Sequence, residues 1–143
     1  LDRRALEAAF AVNAFGPVLL ARALAPLLPR RDRCLWMNLS ARVGSIGDNR
    51  LGGWYAYRAS KAAQNMFTRT LAIELGRRHR GLVCAALHPG TVSTALSAPF
   101  RGQDDRGVMT PDASVDHLLA VMAGLEAADS GSFHGWDGRE IPW

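Results

Sequence analysis

Two short runs of apolar residues constrain the fold of this chain more than any other feature of its sequence. The run "CLWMNLS" covers residues 34–40, and "GLVCAALHPG" holds a second run at 82–87, bracketed by glycine and Pro-Gly. Both runs are continuously apolar instead of alternating, which is typical of strands buried on both faces of a parallel sheet. Helical patterns lie before, between and after the runs. This order predicts an α/β fold with helices on both faces of a parallel sheet.

Three helical segments surround these strands. Asp2 can cap a helix that begins at "RRALEAAF" and continues to near residue 29. A second helical pattern runs from 54 to about 79, and Pro111 suits the first turn of a third helix that reaches about 127. A short strand at 131–135 follows. We therefore predict about three strands and three helices, with function collected at the carboxyl ends of the strands, in the loops 40–53 and 89–107.

Composition and charge exclude several classes of protein. The 143 residues are 48% hydrophobic and 21% charged, which is ordinary for one globular domain over 1–143. No apolar run reaches the length that spans a bilayer, and no secretory signal opens the chain, so we expect no membrane association. The net charge of +4 lies largely in "RRDR" and "RRHR", which lack interleaved aromatic residues and so predict helix ends and loops, with no nucleic-acid partner. The scattered histidines predict no metal site.

Two cysteines, Cys34 and Cys84, lie within the apolar runs. This placement predicts free, buried thiols and a reducing compartment, hence a cytoplasmic protein.

Tyr57 and Lys61 form the most informative pair in the sequence. They lie four residues apart at the start of the second helix, which places both side chains on one helical face directly after the loop 40–53. A cation within about 4–6 Å lowers the pKa of a phenol from near ~10, so the pair can act as an acid and base. A tyrosine packed on a lysine stem is the alternative, because the bare spacing occurs often by chance.

The stretches "NLSARVGS", "YRASK" and "HPGTVST" occur in this order at a strand end, a helix start and a strand end. Together they resemble the short-chain dehydrogenase/reductase family, and the sequence is similar to its C-factor-like, sniffer-like branch over essentially the whole chain. The resemblance implies a Rossmann-type fold and an oxidoreductase that transfers hydride between a nicotinamide cofactor and a small carbonyl or alcohol substrate. It also implies NAD or NADP as cofactor, with NADP favoured, and a homo-oligomer formed through the helices that start near residues 2 and 54.

The resemblance also assigns roles to individual residues. Tyr57 matches the catalytic acid/base, and Lys61 matches the residue that lowers its pKa and binds the nicotinamide ribose. Asn13 matches an asparagine whose main-chain carbonyl holds a water in the proton relay. The positions that match contacts to the nicotinamide end of the cofactor lie in "HPGTVST": Pro89, Gly90, Val92 and Thr94.

The role of Asn13 has support from the chain itself. Pro17 lies four residues later, where a helix would donate an amide hydrogen to the Asn13 carbonyl. Proline has no such hydrogen and kinks the helix, so this carbonyl is predicted to be open to a water. A helix that merely bends around the sheet is the alternative, and both can hold together.

Two departures from the family pattern stand out. The family's strand usually ends N-x-S-S, and the second serine polarises the substrate carbonyl, whereas this chain has "NLSA" with Ala41 at that position. Ser40 is our candidate for the role and Ser45 is an alternative, while a hydroxyl that only satisfies the backbone at a strand end is equally compatible with Ser40.

The second departure concerns the phosphate-binding turn. No stretch matches the family's T-G-x-x-x-G-x-G after a strand. We therefore expect the chain to be the C-terminal portion of a reductase, inactive by itself, and the choice between NAD and NADP to depend on residues outside it. Two other interpretations stay open: a non-catalytic C-factor-like signalling or scaffold protein, and a module that binds surfaces through its basic charge.

Overall fold

A three-stranded parallel sheet forms the centre of the computed structural model, which describes residues 1–98 and 107–143. Its strands are β1 (Cys34–Leu39), β2 (Leu82–His88) and β5 (Phe133–Gly135), in the order β1-β2-β5. Cys34 pairs with Leu82, and Ala86 with Phe133. The predicted parallel sheet is confirmed, and the two continuously apolar runs are its longest strands.

The described residues form four α-helices beside the sheet: α1 (Arg3–Phe10), α2 (Gly16–Leu24), α3 (Tyr55–Gly76) and α4 (Pro111–Gly124). Asp2 caps α1 by accepting a hydrogen bond from the amide of Ala5 at 2.9 Å, as the sequence predicted. Between α1 and α2 the chain makes a wide π-helical turn over Ala11–Phe15, so the first predicted helix is one rod with an irregular middle.

The core divides between the two faces of the sheet. On one face Leu71 and Ala72 of α3 pack with Leu82 and Cys84 of β2 and with Ala21 of α2. On the other face, Val83 and Ala85 of β2 pack with Leu125, which directly follows α4. Successive residues of β2 therefore serve opposite faces, which explains why this strand has no polar side until His88.

Apolar surface remains exposed along one side of the fold. In the described part of the chain β1 has a partner on one edge only, and Leu39 is 55% exposed. Along α2 and the turn before it, Phe15, Leu19 and Leu20 are also exposed. An unpaired strand edge and an exposed apolar helix face are both surfaces that favour association.

One expectation about membranes needs correction. The continuous helical rod Arg3–Leu27 is long and apolar enough to cross a membrane by length and composition alone. The sequence pattern does not predict this, because Asn13, Arg22 and the Gly-Pro step divide the rod into shorter apolar pieces. Core helices of globular proteins can have the same length and composition. This rod packs against α3 through Asn13 and Ala21.

The predicted loop 89–107 contains regular structure that the sequence did not indicate. Two-residue strands β3 (Thr91–Val92) and β4 (Val108–Met109) pair in parallel. Residues 99–106 of this loop lie outside the described residues.

Both cysteines are free thiols; Cys84 is buried as predicted, while Cys34 is only half-buried.

Candidate active site

The approach to α3 uses an unusual backbone conformation. Gly52, Gly53 and Trp54 have positive φ angles of 62°, 68° and 47° before the helix begins at Tyr55. The left-handed region is open to glycine but costs free energy for tryptophan. The Arg58 side chain holds this entry, because it donates to the carbonyls of Gly52 at 3.0 Å and Val43 at 3.2 Å and lies 5.5 Å from the Trp54 ring centroid. The first turn of α3 is therefore fixed before it presents Tyr57.

Lys61 points from α3 into the carboxyl end of β1. Its Nζ donates to the main-chain carbonyl of Leu39 at 2.8 Å and to Oε1 of Gln64 at 3.0 Å. The residue is only 8% exposed, and this burial lowers the pKa of Lys61 to about 8. The group therefore stays mostly protonated at neutral pH, and its two hydrogen-bond acceptors are neutral oxygens.

Tyr57 lies beside this ammonium group at the surface of the site. The Lys61 Nζ is 6.0 Å from the centroid of the Tyr57 ring, and the tyrosine is 36% exposed. The spacing correctly predicted a shared face. Burial raises the pKa of Tyr57, and the Lys61 ammonium group points toward the end of β1, so the lowering of the tyrosine pKa by Lys61 stays a prediction.

Asn13 is connected to the tyrosine through one serine. Its Nδ2 donates to Oγ of Ser60 at 3.1 Å, and Ser60 in turn donates to the main-chain carbonyl of Tyr57 at 2.9 Å. Asn13 lies within the wide turn, where the amide of Gly16 donates to the carbonyl of Ala11. Asn13 therefore joins the first helical rod to α3. The role of its carbonyl in holding a water stays a prediction.

The loop after β1 packs directly onto Lys61. A 3-10 turn over Arg42–Gly44 approaches α3 so closely that a Cβ on Gly44 would lie 2.7 Å from Cβ of Lys61. The next residue, Ser45, is buried, donates to the carbonyl of Pro142 and accepts from the amide of Asp48 at 3.0 Å. Its hydroxyl therefore joins the loop to the C-terminal segment.

Ser40 lies at the end of β1 but faces into the protein. It is 3% exposed, its amide donates to the Leu87 carbonyl at 2.7 Å, and its Oγ donates to Oδ1 of Asn65 at 2.6 Å. These contacts favour the interpretation in which the hydroxyl satisfies polar groups between strand and helix. The role of Ser40 in polarising a substrate stays a prediction.

The segment after β2 lies at the same edge of the sheet. The Pro89 carbonyl accepts from Ser114 of α4 at 2.8 Å, and Gly90 has a φ of 80°. This left-handed backbone favours glycine, and a Cβ there would also lie 2.2 Å from Cε of Met109 and 2.8 Å from Cδ1 of Trp136. Val92 is half-buried, and Thr94 is exposed in a turn with Ser97. The predicted cofactor positions thus follow directly from the end of β2.

Sequence reasoning missed two residues of this region. His88, the last residue of β2, has a buried Nδ1 without a hydrogen-bond partner among the described residues, and burial and the nearby Arg42 lower its pKa to about 4. Gln64, the partner of Lys61, has no motif that reveals it. One overlooked signal was available: Lys61 is the only lysine in the sequence, although lysine and arginine together number 17.

A groove in the described part of the chain lies away from these residues. It measures about 660 Å³, and its walls come from α4 and the segment around β5, including His117, Trp136 and Asp137. Neither Tyr57 nor Lys61 contributes to it. The candidate site lies instead at the carboxyl ends of β1 and β2 and the first two turns of α3.

The sequence profile of the short chain dehydrogenase family matches residues 1–105. This chain belongs to that family. It is 37% identical over 143 residues to the C-signal protein of Myxococcus xanthus, with 100% of this chain and 81% of that protein covered. It is also 35% identical over 143 residues to 1-hydroxy-2-glutathionyl-2-methyl-3-butene dehydrogenase of a Rhodococcus species, again over its full length but over 59% of that enzyme.

Solved structures of the family agree with the fold. The NADPH-bound carbonyl reductase from chicken fatty liver superimposes with a TM-score of 0.87 at 33% identity, covering 100% of this chain and 59% of that one. The carbonyl reductase Sniffer of D. melanogaster gives a TM-score of 0.87 at 28% identity and the same coverage. This family member therefore spans about three fifths of the length of these reductases.

Proposed function

We propose that this family member supplies the proton-transfer part of an NAD(P)-dependent short-chain oxidoreductase that acts on small carbonyl or alcohol substrates. One observation carries the proposal: the sole lysine is buried at the carboxyl end of β1, hydrogen-bonded to the Leu39 carbonyl, and lies beside Tyr57. A buried cation at the end of a parallel strand is costly, and such groups concentrate at functional sites. The carbonyl reductases with similar folds support the reaction class.

The donor set fits one end of a nicotinamide dinucleotide. The ammonium group of Lys61, the hydroxyls of Tyr57 and Thr94, and the polar main chain after Pro89 suit ribose hydroxyls and a carboxamide. The phosphates need a separate grip, such as a glycine-rich turn at a helix N-terminus. Activity is therefore proposed for a protein in which these residues act together with such a turn, and NADP is the proposed cofactor because two similar structures contain NADPH or NADP.

The chemistry follows from the two side chains. A bound reduced nicotinamide supplies the hydride for the carbonyl carbon. The Tyr57 hydroxyl gives its proton to the substrate oxygen as the carbonyl π bond breaks, and the raised pKa of Tyr57 keeps that proton in place beforehand. The Lys61 ammonium, 6.0 Å from the ring centroid, then stabilises the phenolate that remains. Alcohol oxidation runs through the same groups in reverse.

The test uses these residues joined to a phosphate-binding turn. Tyr57→Phe is expected to abolish carbonyl reduction while NADPH binding, followed by cofactor fluorescence, stays nearly unchanged. Lys61→Ala is expected to lose both, because Lys61 serves ribose and proton transfer. Full turnover in the Phe variant would remove Tyr57 from the role of acid.

A second candidate is a non-catalytic signalling or scaffold protein. Two observations favour it: Ala41 occupies the position where the family pattern has the polarising serine, and C-signal is among the relatives. Restoring a hydroxyl by Ala41→Ser separates the two functions. A gain in turnover would support the reductase, whereas no reduction of any carbonyl by either form would favour the scaffold.

The proposal has three further parts. We expect the protein to be cytoplasmic. We also expect it to form homo-oligomers, because the exposed apolar residues Phe15, Leu19 and Leu20 lie on the helical rod that starts near residue 2. We also expect substrate choice to depend on the loop that follows β2, whose residues 99–106 lie outside the described structure.

A further inference from the structure

Gln64 is a polar side chain buried beside the only lysine of the chain. Its exposed fraction is 4%, and its Oε1 lies 3.0 Å from Nζ of Lys61. The two residues are three apart on α3, so they share the face that meets the end of β1. Burying a carboxamide costs free energy unless it is hydrogen-bonded, and the contact with Lys61 is the one that satisfies its oxygen.

The direction of the Lys61 ammonium group depends on this contact. An ammonium group has three N–H donors in a tetrahedral arrangement. The structure engages two of them with the Leu39 carbonyl and with Gln64. Two fixed donors determine where the third points, so Gln64 and Leu39 together set the position from which Lys61 acts on Tyr57.

Gln64 is itself anchored to the sheet. Its main-chain carbonyl accepts from Oγ1 of Thr68 at 2.8 Å, and that hydroxyl accepts from Nδ2 of Asn38 on β1 at 2.8 Å. These contacts fix the main chain of Gln64. Its side-chain oxygen can then hold the Lys61 ammonium group in one position.

We propose that Gln64 is the positioning residue for Lys61: its carboxamide oxygen holds the ammonium group against the carbonyl end of β1. Because the carboxamide is neutral, it orients the lysine without cancelling its charge. A carboxylate at this position would form an ion pair and reduce the influence of Lys61 on Tyr57, while an apolar side chain would leave the buried ammonium with one acceptor fewer.

Other charged groups around Lys61 do not replace this role. Burial is the cause that shifts the pKa of Lys61, and its hydrogen-bond partners are neutral. Arg42 on the 3-10 turn pairs with Asp48, and Arg3 on α1 pairs with Glu7. The titratable and charged groups on the elements packed against Lys61 are Tyr55, Tyr57, Arg58, Arg69 and Glu74 on α3, Cys34 on β1, Arg42 on the turn, and Arg3, Arg4 and Glu7 on α1.

The inference can be tested without cofactor or substrate because the chain has a single lysine. Competitive acetylation with acetic anhydride across a pH series gives the pKa of Lys61 from the labelling rate of one peptide, read by mass spectrometry. Gln64→Met, which removes the oxygen, is expected to lower that pKa by about one unit or more. Gln64→Glu, which keeps the shape and adds a charge, is expected to raise it by a similar amount.

Ser114→Ala provides the matched control. Ser114 is also buried and loses a hydroxyl hydrogen bond, but it lies on α4 and contacts neither Gln64 nor Lys61, so the pKa of Lys61 should stay near that of the parent chain. If both Gln64 variants leave the Lys61 pKa unchanged, the inference is wrong. If Gln64→Met fails to fold by circular dichroism, the isosteric Gln64→Glu decides alone, and a rise supports the inference.

The consequence for catalysis rests on the proposed function and is measured separately. Where turnover is observed, Gln64→Met is expected to move the pH profile of kcat in the same direction as the Lys61 pKa. A shifted lysine pKa without any turnover in a protein that joins this chain to a phosphate-binding turn would uphold the positioning role and reject the reductase.

Discussion

Gly44 offers the sharpest test of how the loop after β1 is fitted to α3. A methyl group at this position would place its carbon 2.7 Å from Cβ and 2.8 Å from the main-chain carbon of Lys61. Ordinary contacts between carbon atoms lie near 3.5–4.0 Å, so the turn would have to retreat by about 1 Å. Because one of the contacts is main chain of a helix, no change of rotamer can relieve it.

The expected cost follows from these distances. Overpacking of a well-packed region costs typically about 1–3 kcal/mol. Replacing glycine by alanine also restricts the unfolded chain, which stabilises by about 0.4–1 kcal/mol where the backbone suits alanine. We therefore expect Gly44→Ala to lower the free energy of unfolding by roughly 1–2 kcal/mol after this offset.

Urea unfolding followed by tryptophan fluorescence measures this change, and Gly76→Ala is the control. Gly76 ends α3, and a Cβ there meets nothing within 4 Å, so this variant should be neutral or slightly stabilised. Acetylation of Lys61 gives a second readout, since a displaced turn would make the lysine more accessible. Equal stability of the two variants would show that the turn and α3 are not in close contact.

Three further outcomes are expected. Ser40→Ala should lower the free energy of unfolding by about 1–3 kcal/mol, because it leaves the buried Asn65 oxygen without its donor. A loss of turnover of about 10²-fold at unchanged stability would instead assign Ser40 to substrate polarisation. Burial lowers the pKa of His88 from 6.5 to about 4 in the folded chain, so the unfolded chain binds more protons between these pH values. The free energy of unfolding should therefore fall as pH drops from 6.5 toward 4. His88→Leu should flatten that dependence in urea titrations. The 143-residue chain alone should associate in sedimentation experiments and bind NADPH weakly, and a monomer with tight NADPH binding would contradict this.

The sequence predicted the elements whose signals are local. Continuous apolar runs located β1 and β2 within one residue of their observed ends, and Asp2 correctly marked the start of α1. The pairing of β3 with β4 could not be predicted, because each strand has two residues and they are joined by a long loop. The wide turn at Ala11–Phe15 was predicted in part. Pro17 indicates a missing hydrogen bond in the helix, but only the structure shows that the amide of Gly16 donates to the carbonyl of Ala11, five residues earlier.

The candidate site shows the same division between local and non-local information. An i, i+4 spacing fixes that Tyr57 and Lys61 share a helical face, and the structure confirms this. It does not fix where the ammonium group goes, because that depends on which acceptors the fold brings near.

For Lys61 the competition is between a ring centroid 6.0 Å away and two neutral oxygens at 2.8 and 3.0 Å. A buried ammonium group gains more from short hydrogen bonds to oxygen than from a ring at that distance, so the oxygens determine its position. One of them, the Leu39 carbonyl, belongs to a strand 22 residues earlier in the chain. The position of the Lys61 ammonium group beside Tyr57 therefore depends on where the end of β1 lies relative to α3, and a variant that shifts this end should also shift the ammonium group.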